Sequence, residues 1–103
     1  MVVERDALIL KWGDSVAIAI NQIVRGGTVL AAEGKQTMNV QAKDDVPYGH
    51  KIAIKDVKKS EEVIKGGYFI GTALKDISIG ERVDHTNMRW LQAGQEVWVE
   101  LSA

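Results

Sequence analysis

Both histidines of the chain, His50 and His85, fall between Asp45 and Asn87, with the only proline, Pro47, and Gly49, Gly66, Gly67, Gly71 and Gly80. An imidazole is the ordinary side chain that titrates near neutral pH, so a histidine on a turn is a candidate acid, base or metal ligand. His50 stands between Gly49 and a strand start at Lys51, a loop rim of the kind that carries sites on a rigid scaffold. Its plainer role is to fix its own turn. His85, with Asn87, is placed to meet a carboxylate substrate or a metal held by a partner; otherwise it is a polar strand end. Lys51 and Lys65 can hold a carboxylate as point charges, although most lysines are simply solvated. Two histidines, no cysteine and no recognisable base–nucleophile pair do not make a self-sufficient catalyst.

Other residues read as structural. Gly66-Gly67 is a turn rather than a phosphate cradle, because no helix start follows it. Asp56 and Asp76 occupy equivalent positions in a repeat and read as turn-formers. Trp12, Trp90 and Trp98 lie outside the central segment and are expected in the core or at an interface.

The bulk properties limit what these residues can serve. A chain of 103 residues is about one domain, long enough for one core. The absence of cysteine excludes disulfides and thiolate metal sites and fits a cytoplasmic location. Thirteen basic residues against fourteen acidic give a net charge of −1 without a cationic run, so nucleic acid is not an expected partner. The apolar runs Ala7–Leu10 and Val16–Ile20 fall far short of the ~20 residues of a membrane span. The start, Met1 to Asp6, lacks the cationic-then-apolar order of a signal peptide.

The elements that must position the candidate residues are short. Ala19-Ile20-Asn21-Gln22-Ile23 followed by Gly26 and Val29 is repeated as Ala53-Ile54-Lys55-Asp56-Val57 with Ser60 and Val63. It recurs as Ala73-Leu74-Lys75-Asp76-Ile77 with Gly80 and Val83. Each copy reads as strand end, turn and strand start: an Asp or Gln bonds the turn backbone, and a glycine-type position follows. The uneven offsets exclude a solenoid. Val16/Ile18/Ile20, Ile52/Ile54 and Met38/Val40/Ala42 alternate with period 2, and Glu96–Leu101 reads as a closing or edge strand that invites pairing with a second copy. At most one helical turn fits, at Val57–Glu62. The expected fold is a mainly-β domain of many short strands and tight turns.

These motifs resemble a known family. Ala-apolar-x-Asp-apolar followed by Gly-Glu-x-Val is similar to the SAF group of β-clip domains. Within it, Asp14 to Ala19, Asp45 to Ala53, Val63 to Ala73 and Gly80 to Val83 resemble one branch. That branch is the N-terminal domain of altronate and galactarate dehydratases and the small subunit of sulfolactate sulfo-lyase. The resemblance covers about 7–89 of a single 1–103 domain, with a C-terminal strand extension over about 90–103, and Gly49-His50-Lys51-Ile52-Ala53 lies in its most specific part. Where the family has Lys-Tyr-Gly, this chain has Lys65-Gly66-Gly67. Where it has Val-His-x-His-Asn, this chain has Val83-Asp84-His85-Thr86-Asn87. On an extended strand, positions 84 and 86 share one face and 85 points to the other. The histidine pair is thus replaced by Asp84, an oxygen ligand for a hard cation, and Thr86, a poor substitute for imidazole.

The resemblance implies an accessory domain or small subunit of a lyase acting on acidic sugars or hydroxy acids. A large catalytic subunit would carry most of the apparatus and a divalent, iron-type metal. His50 and His85 are the implied catalytic residues, Lys51, Lys65 and Asn87 the substrate contacts, and Asp84 the metal contact. Two other readings stand beside it. One is a free-standing β-clip binding module for carbohydrate or protein. The other is a swapped-hairpin DNA-binding regulator, suggested by Leu10 to Ile18 but lacking the Val-Arg-Ile-Pro continuation.

Overall fold

Short strands joined by tight turns form two sheets, seen in a computed structural model that describes residues 4–91 and the backbone of Val97–Trp98. In chain order the strands are β1 (Ala7–Leu8), β2 (Val16–Ala19), β3 (Thr28–Glu33), β4 (Gln36–Gln41) and β5 (Lys51–Ala53). They continue as β6 (Glu62–Lys65), β7 (Tyr68–Ala73), β8 (Arg82–Val83), β9 (Met88–Trp90) and β10 (Val97–Trp98). One sheet runs β4-β3-β1-β2-β5-β8; the other runs β10-β7-β6, with β9 also on β7. Most pairs are antiparallel, and β1 with β3 is parallel. This is the expected β-clip architecture of many short strands. The rest of the C-terminal segment Glu96–Leu101 lies outside the described residues.

The period-2 reading of β2 and β5 needs correction. Val16 and Ala17 are both buried, as are Ile52 and Ala53. The reason is that these strands lie between two cores. Ala17 and Ile52 face a cluster with Ile9, Ile23, Val29, Val40 and Val46, whereas Val16 and Ala53 face one with Val63, Ile70, Ile77, Val83 and Met88. Strands covered on both faces lose their polar alternation.

The repeat has one more copy than its sequence shows. Ala42-Lys43-Asp44-Asp45-Val46, then Gly49, adopts the same local structure as the copies at Ala19, Ala53 and Ala73. Copies work in pairs. Ile23 and Val46 exchange both backbone hydrogen bonds at 2.9 Å, and Val57 and Ile77 do so at 2.8 and 2.7 Å. Each copy's alanine also pairs with its mate's turn. The Gly26, Gly49, Ser60 and Gly80 N–H groups donate to Ala42, Ala19, Ala73 and Ala53 carbonyls respectively, at 2.8–2.9 Å. In return those alanines' N–H groups donate to Gly27, His50, Glu61 and Glu81. The aspartates brace the mate's turn rather than their own: Asp45 accepts from Arg25 N–H, Asp76 from Lys59 N–H and Asp56 from Ile79 N–H.

All four turns place their third residue at positive φ: 89° for Gly26, 84° for Gly49, 73° for Ser60 and 95° for Gly80. Each closes with an i to i+3 bond, for example Glu61 N–H to Lys58 C=O at 2.9 Å. Val57–Glu62, where at most one helical turn was expected, is a bridge followed by a reverse turn, and no helix occurs among the described residues. Ser60 alone carries a Cβ in this conformation, which costs roughly 1 kcal/mol. Gly80 has no such latitude, since a Cβ there would lie 2.0 Å from the Gln41 carbonyl oxygen.

The two sheets are tied by Asp14 and Ser15. The Asp14 carboxylate is fully buried and accepts N–H bonds from Lys11 (3.0 Å), Gly66 (2.8 Å) and Gly67 (3.0 Å). Gly66 and Gly67 both have positive φ and form the two-residue turn between β6 and β7, the pattern of a type I′ hairpin. Ser15 N–H donates to Ile64 C=O at 2.9 Å, and its Oγ accepts the Ile64 N–H at 3.0 Å.

Two stability measurements follow. Ser60→Gly should stabilise the domain by about 0.5–1 kcal/mol in urea unfolding, while Gly80→Ala should destabilise it well beyond that; equal effects would contradict the turn geometry. Asp14→Ala strips three N–H groups of an ionised acceptor and should cost at least ~3 kcal/mol, read as a lower urea midpoint at unchanged slope.

Candidate functional site

The antiparallel register of β5 and β8 sets Lys51 opposite Val83 and Ile52 opposite Arg82. It therefore brings the His50–Lys51 end of one segment beside the Asp84–His85 start of the next, although they are far apart in sequence. His50 ends the turn begun at Pro47: its N–H donates to Pro47 C=O at 3.0 Å and its C=O accepts from Ala19 at 2.8 Å. Backbone pinning on both sides fixes where the side chain leaves the surface. The imidazole is exposed and makes no hydrogen bond to any described residue. Its turn is held by backbone, so the ring is not what fixes it. Tyr48, on the same turn, is 73% exposed.

Lys51 is half-buried, and its ammonium lies 4.3 Å from the centroid of the Trp90 ring on β9. This cation–π contact joins one sheet to the other. Burial pushes the Lys51 ammonium below its usual range; the neighbouring Lys65 charge pushes further, and Asp84 opposes both. Lys65 has no ion pair among the described residues. The two ammonium groups thus share a patch with a carboxylate that is committed elsewhere.

That carboxylate is Asp84. Its Oδ1 accepts from Thr86 N–H (2.9 Å) and from the Thr86 hydroxyl, and its Oδ2 accepts from Arg82 Nε at 3.0 Å. Asp84 N–H donates to Asn87 Oδ1 (2.9 Å), Asn87 Nδ2 to Arg82 C=O (2.7 Å), and Met88 N–H to Asp84 C=O (2.9 Å). Residues 84–87 therefore form a closed turn, and the two-face argument for an extended strand does not apply to them. The strand ends at Val83 because Asp84, Thr86 and Asn87 offer the backbone local partners. Asn87 is buried with both ends of its amide used inside the turn. His85 stands exposed at the tip, with no hydrogen bond to a described residue.

Among the described residues no three His, Asp or Glu side chains gather as a metal-ligand set. Asp84, the expected oxygen ligand, faces Arg82 and Thr86. These residues do not by themselves form a site for an iron-type metal. The structure gathers His50, Lys51, Lys65, Asp84 and His85 at one end, and buries Asn87 beneath the turn. It adds Trp90, which sequence reasoning assigned to the core or an interface. Trp90 is 47% exposed, and nothing in its local sequence signals its pairing with Lys51. Trp12, likewise read as a core or interface residue, is 36% exposed.

The curled sheets of short strands and the repeated clip turns define a β-clip domain. A family model described as the altronate/galactarate dehydratase SAF domain matches residues 5–91, and the chain belongs to that family. It is 38% identical over 76 residues to altronate dehydratase of Bacillus subtilis, covering 74% of this chain and 14% of that protein. The figures for altronate dehydratase of Escherichia coli are the same: 38%, 76 residues, 74% and 14%. It is 33% identical over 79 residues to (2R)-sulfolactate sulfo-lyase subunit alpha of Chromohalobacter salexigens, covering 74% of this chain and 84% of that subunit. The chain therefore spans a small part of the altronate dehydratases and most of the sulfo-lyase subunit. Among the described residues no helix is long and apolar enough to cross a membrane.

The Asp84 turn has a pH signature. The Thr86 hydroxyl bond, with the Thr86 N–H and the Arg82 guanidinium, lowers its carboxyl to about 2 despite the opposing effect of burial. A carboxyl depressed on folding contributes stability above its unfolded pKa, near 4, and loses it as pH falls toward the folded value. The stability gap between wild type and Asp84→Asn should therefore be widest above pH 5 and shrink between about pH 4 and 2. A gap constant across that window in urea titrations would contradict the arrangement.

Proposed function

We propose that this chain is the accessory SAF unit of a lyase acting on sugar acids or related hydroxy acids, completing the substrate site of a larger catalytic chain. One observation carries this reading: an exposed imidazole and two ammonium groups without a committed counter-ion lie at the rim of a backbone-fixed turn. The relatives support it. One is named as a subunit, and the altronate dehydratases are far longer than the region this chain matches.

In this proposal the substrate carboxylate lies against Lys51 and Lys65, where it relieves their mutual repulsion. The indole of Trp90 holds Lys51 in place for that contact. One imidazole, His50 or His85, takes the proton α to the carboxylate; the other returns a proton to a departing β-hydroxyl, which leaves as water. Asp84 and Asn87 are positioning residues that shape the turn presenting His85. A divalent, iron-type metal belongs to the larger chain, where it would stabilise the charge that develops on the carboxylate oxygens.

The test is co-expression with the larger lyase chain and assay on sugar acids and sulfolactate. In the complex, His50→Ala should lower kcat at least a hundredfold without changing the melting temperature of this domain. Lys51→Met with Lys65→Met should raise KM at least tenfold, with kcat affected far less. If His50→Ala retains full turnover, or if the isolated chain binds these acids as tightly as the complex does, the domain is a free-standing binding module.

A further inference from the structure

The strand edges of this domain are guarded unequally. At β8 the Arg82 N–H donates to the Asp44 carboxylate at 2.9 Å, and the Arg82 carbonyl accepts from Asn87. At β6 the Ile64 N–H and C=O are both taken by Ser15, and the strand ends in charged residues, Glu62 and Lys65. Such devices stop a sheet from growing. β4 reads Gln36-Thr37-Met38-Asn39-Val40-Gln41, with no charge and no proline, and its register against β3 runs unbroken over six pairs.

The hairpin register fixes which groups of β4 face outward. Glu33 and Gln36 flank the two-residue turn, so the even-numbered residues Gln36, Met38 and Val40 bond inward to β3 and the odd-numbered ones turn their N–H and C=O to the outer edge. At the far end this is visible directly: Lys43 N–H donates to Gly80 C=O at 2.9 Å, and the Gln41 carbonyl lies against Gly80. Thr37 and Asn39 come before that cover. Their outward backbone groups have no partner among the described residues. On the Met38 face lies a recess of about 310 Å³ lined by Ile9, Trp12, Met38 and Ile54 together with Gly13, Asp14 and Lys55.

We propose that β4 is a self-pairing edge, through which two copies of this chain join their six-stranded sheets antiparallel about a twofold axis at Met38. Thr37 of one copy lies opposite Asn39 of the other, and the two pairs exchange four backbone hydrogen bonds. The register sets the two Met38 side chains directly across from each other, on the face of the recess. An antiparallel twofold needs a strand complementary to itself, and an uncharged strand with an apolar residue at its centre meets that need. Side-chain charge gives no reason for a foreign strand instead.

The full chain should sediment as a monomer–dimer equilibrium between 5 and 500 µM. Asn39→Pro removes an outward donor and leaves the β3 ladder intact, so it should weaken dimerisation at least tenfold with little change in melting temperature. Thr37→Lys with Asn39→Lys, which opposes like charges across the axis, should do the same. Hydrogen exchange at Thr37 and Asn39 should slow as concentration rises. A wild type that stays monomeric at 500 µM overturns the proposal. So does a dimer indifferent to both variants, or protection at Thr37 and Asn39 that ignores concentration and so marks a cover from elsewhere in the same chain.

Discussion

One buried carboxylate holds the two sheets in register. Asp14 is wholly shielded from solvent, so its carboxylate oxygens must be met by N–H groups, and those that meet them belong to Lys11 on its own turn and to Gly66 and Gly67 on the β6–β7 hairpin. The hairpin of the second sheet is thereby fixed to the loop that leads into the central strand of the first. Ser15 repeats the tie one residue later through Ile64. From this follow the doubly covered state of β2 and β5 and the division of the core into two clusters. The departure of Gly66-Gly67 from the family's Lys-Tyr-Gly falls at this contact. Both positions have positive φ and both donate to Asp14, so the pair is an anion cradle for a carboxylate of the same chain.

What was legible in the sequence was what depends on short-range chemistry. The positive-φ turn position announced itself through Gly26 and Gly80; that the alanine of each copy lies where the mate's turn closes over the strand is seen only in the structure. The copy at Ala42 stayed hidden because Lys43 stands where the others have Ile20, Ile54 and Leu74. The structure shows that this position tolerates exposure, as Leu74 itself does at 38%. The aspartates were correctly read as backbone acceptors, but of their own turns. That they cross to the mate's turn is a tertiary fact with no local trace.

The same division runs through the site. His50 was legible because the turn that carries it is, and the pairing of β5 with β8 then brings His85 to its side. The geometry of residues 84–87 was not, since alternation along an extended strand was assumed where Asp84, Thr86 and Asn87 prefer to bond their own backbone. Trp90 was missed for a different reason: it belongs to the other sheet, and its contact depends on how the 84–87 turn delivers β9 from the end of β8 onto β7. The rim is thus assembled by contacts that lie elsewhere in the molecule.

The pairing of clip turns also bears on how the chain reaches this state. Ala19 needs the turn at Gly49–His50, Ala53 needs Gly80–Glu81, and Asp14 waits for a hairpin 52 residues further on. Each of these contacts requires a long loop to close before anything is gained, so folding is expected on the slow side, on the order of milliseconds to seconds. A chain emerging from the ribosome cannot settle its first sheet alone, because two of the N–H donors that bond Asp14 have not yet been made. Until Gly66 and Gly67 arrive, β2 shows both of its apolar faces, and that interval is when this protein is most exposed to aggregation and to chaperones.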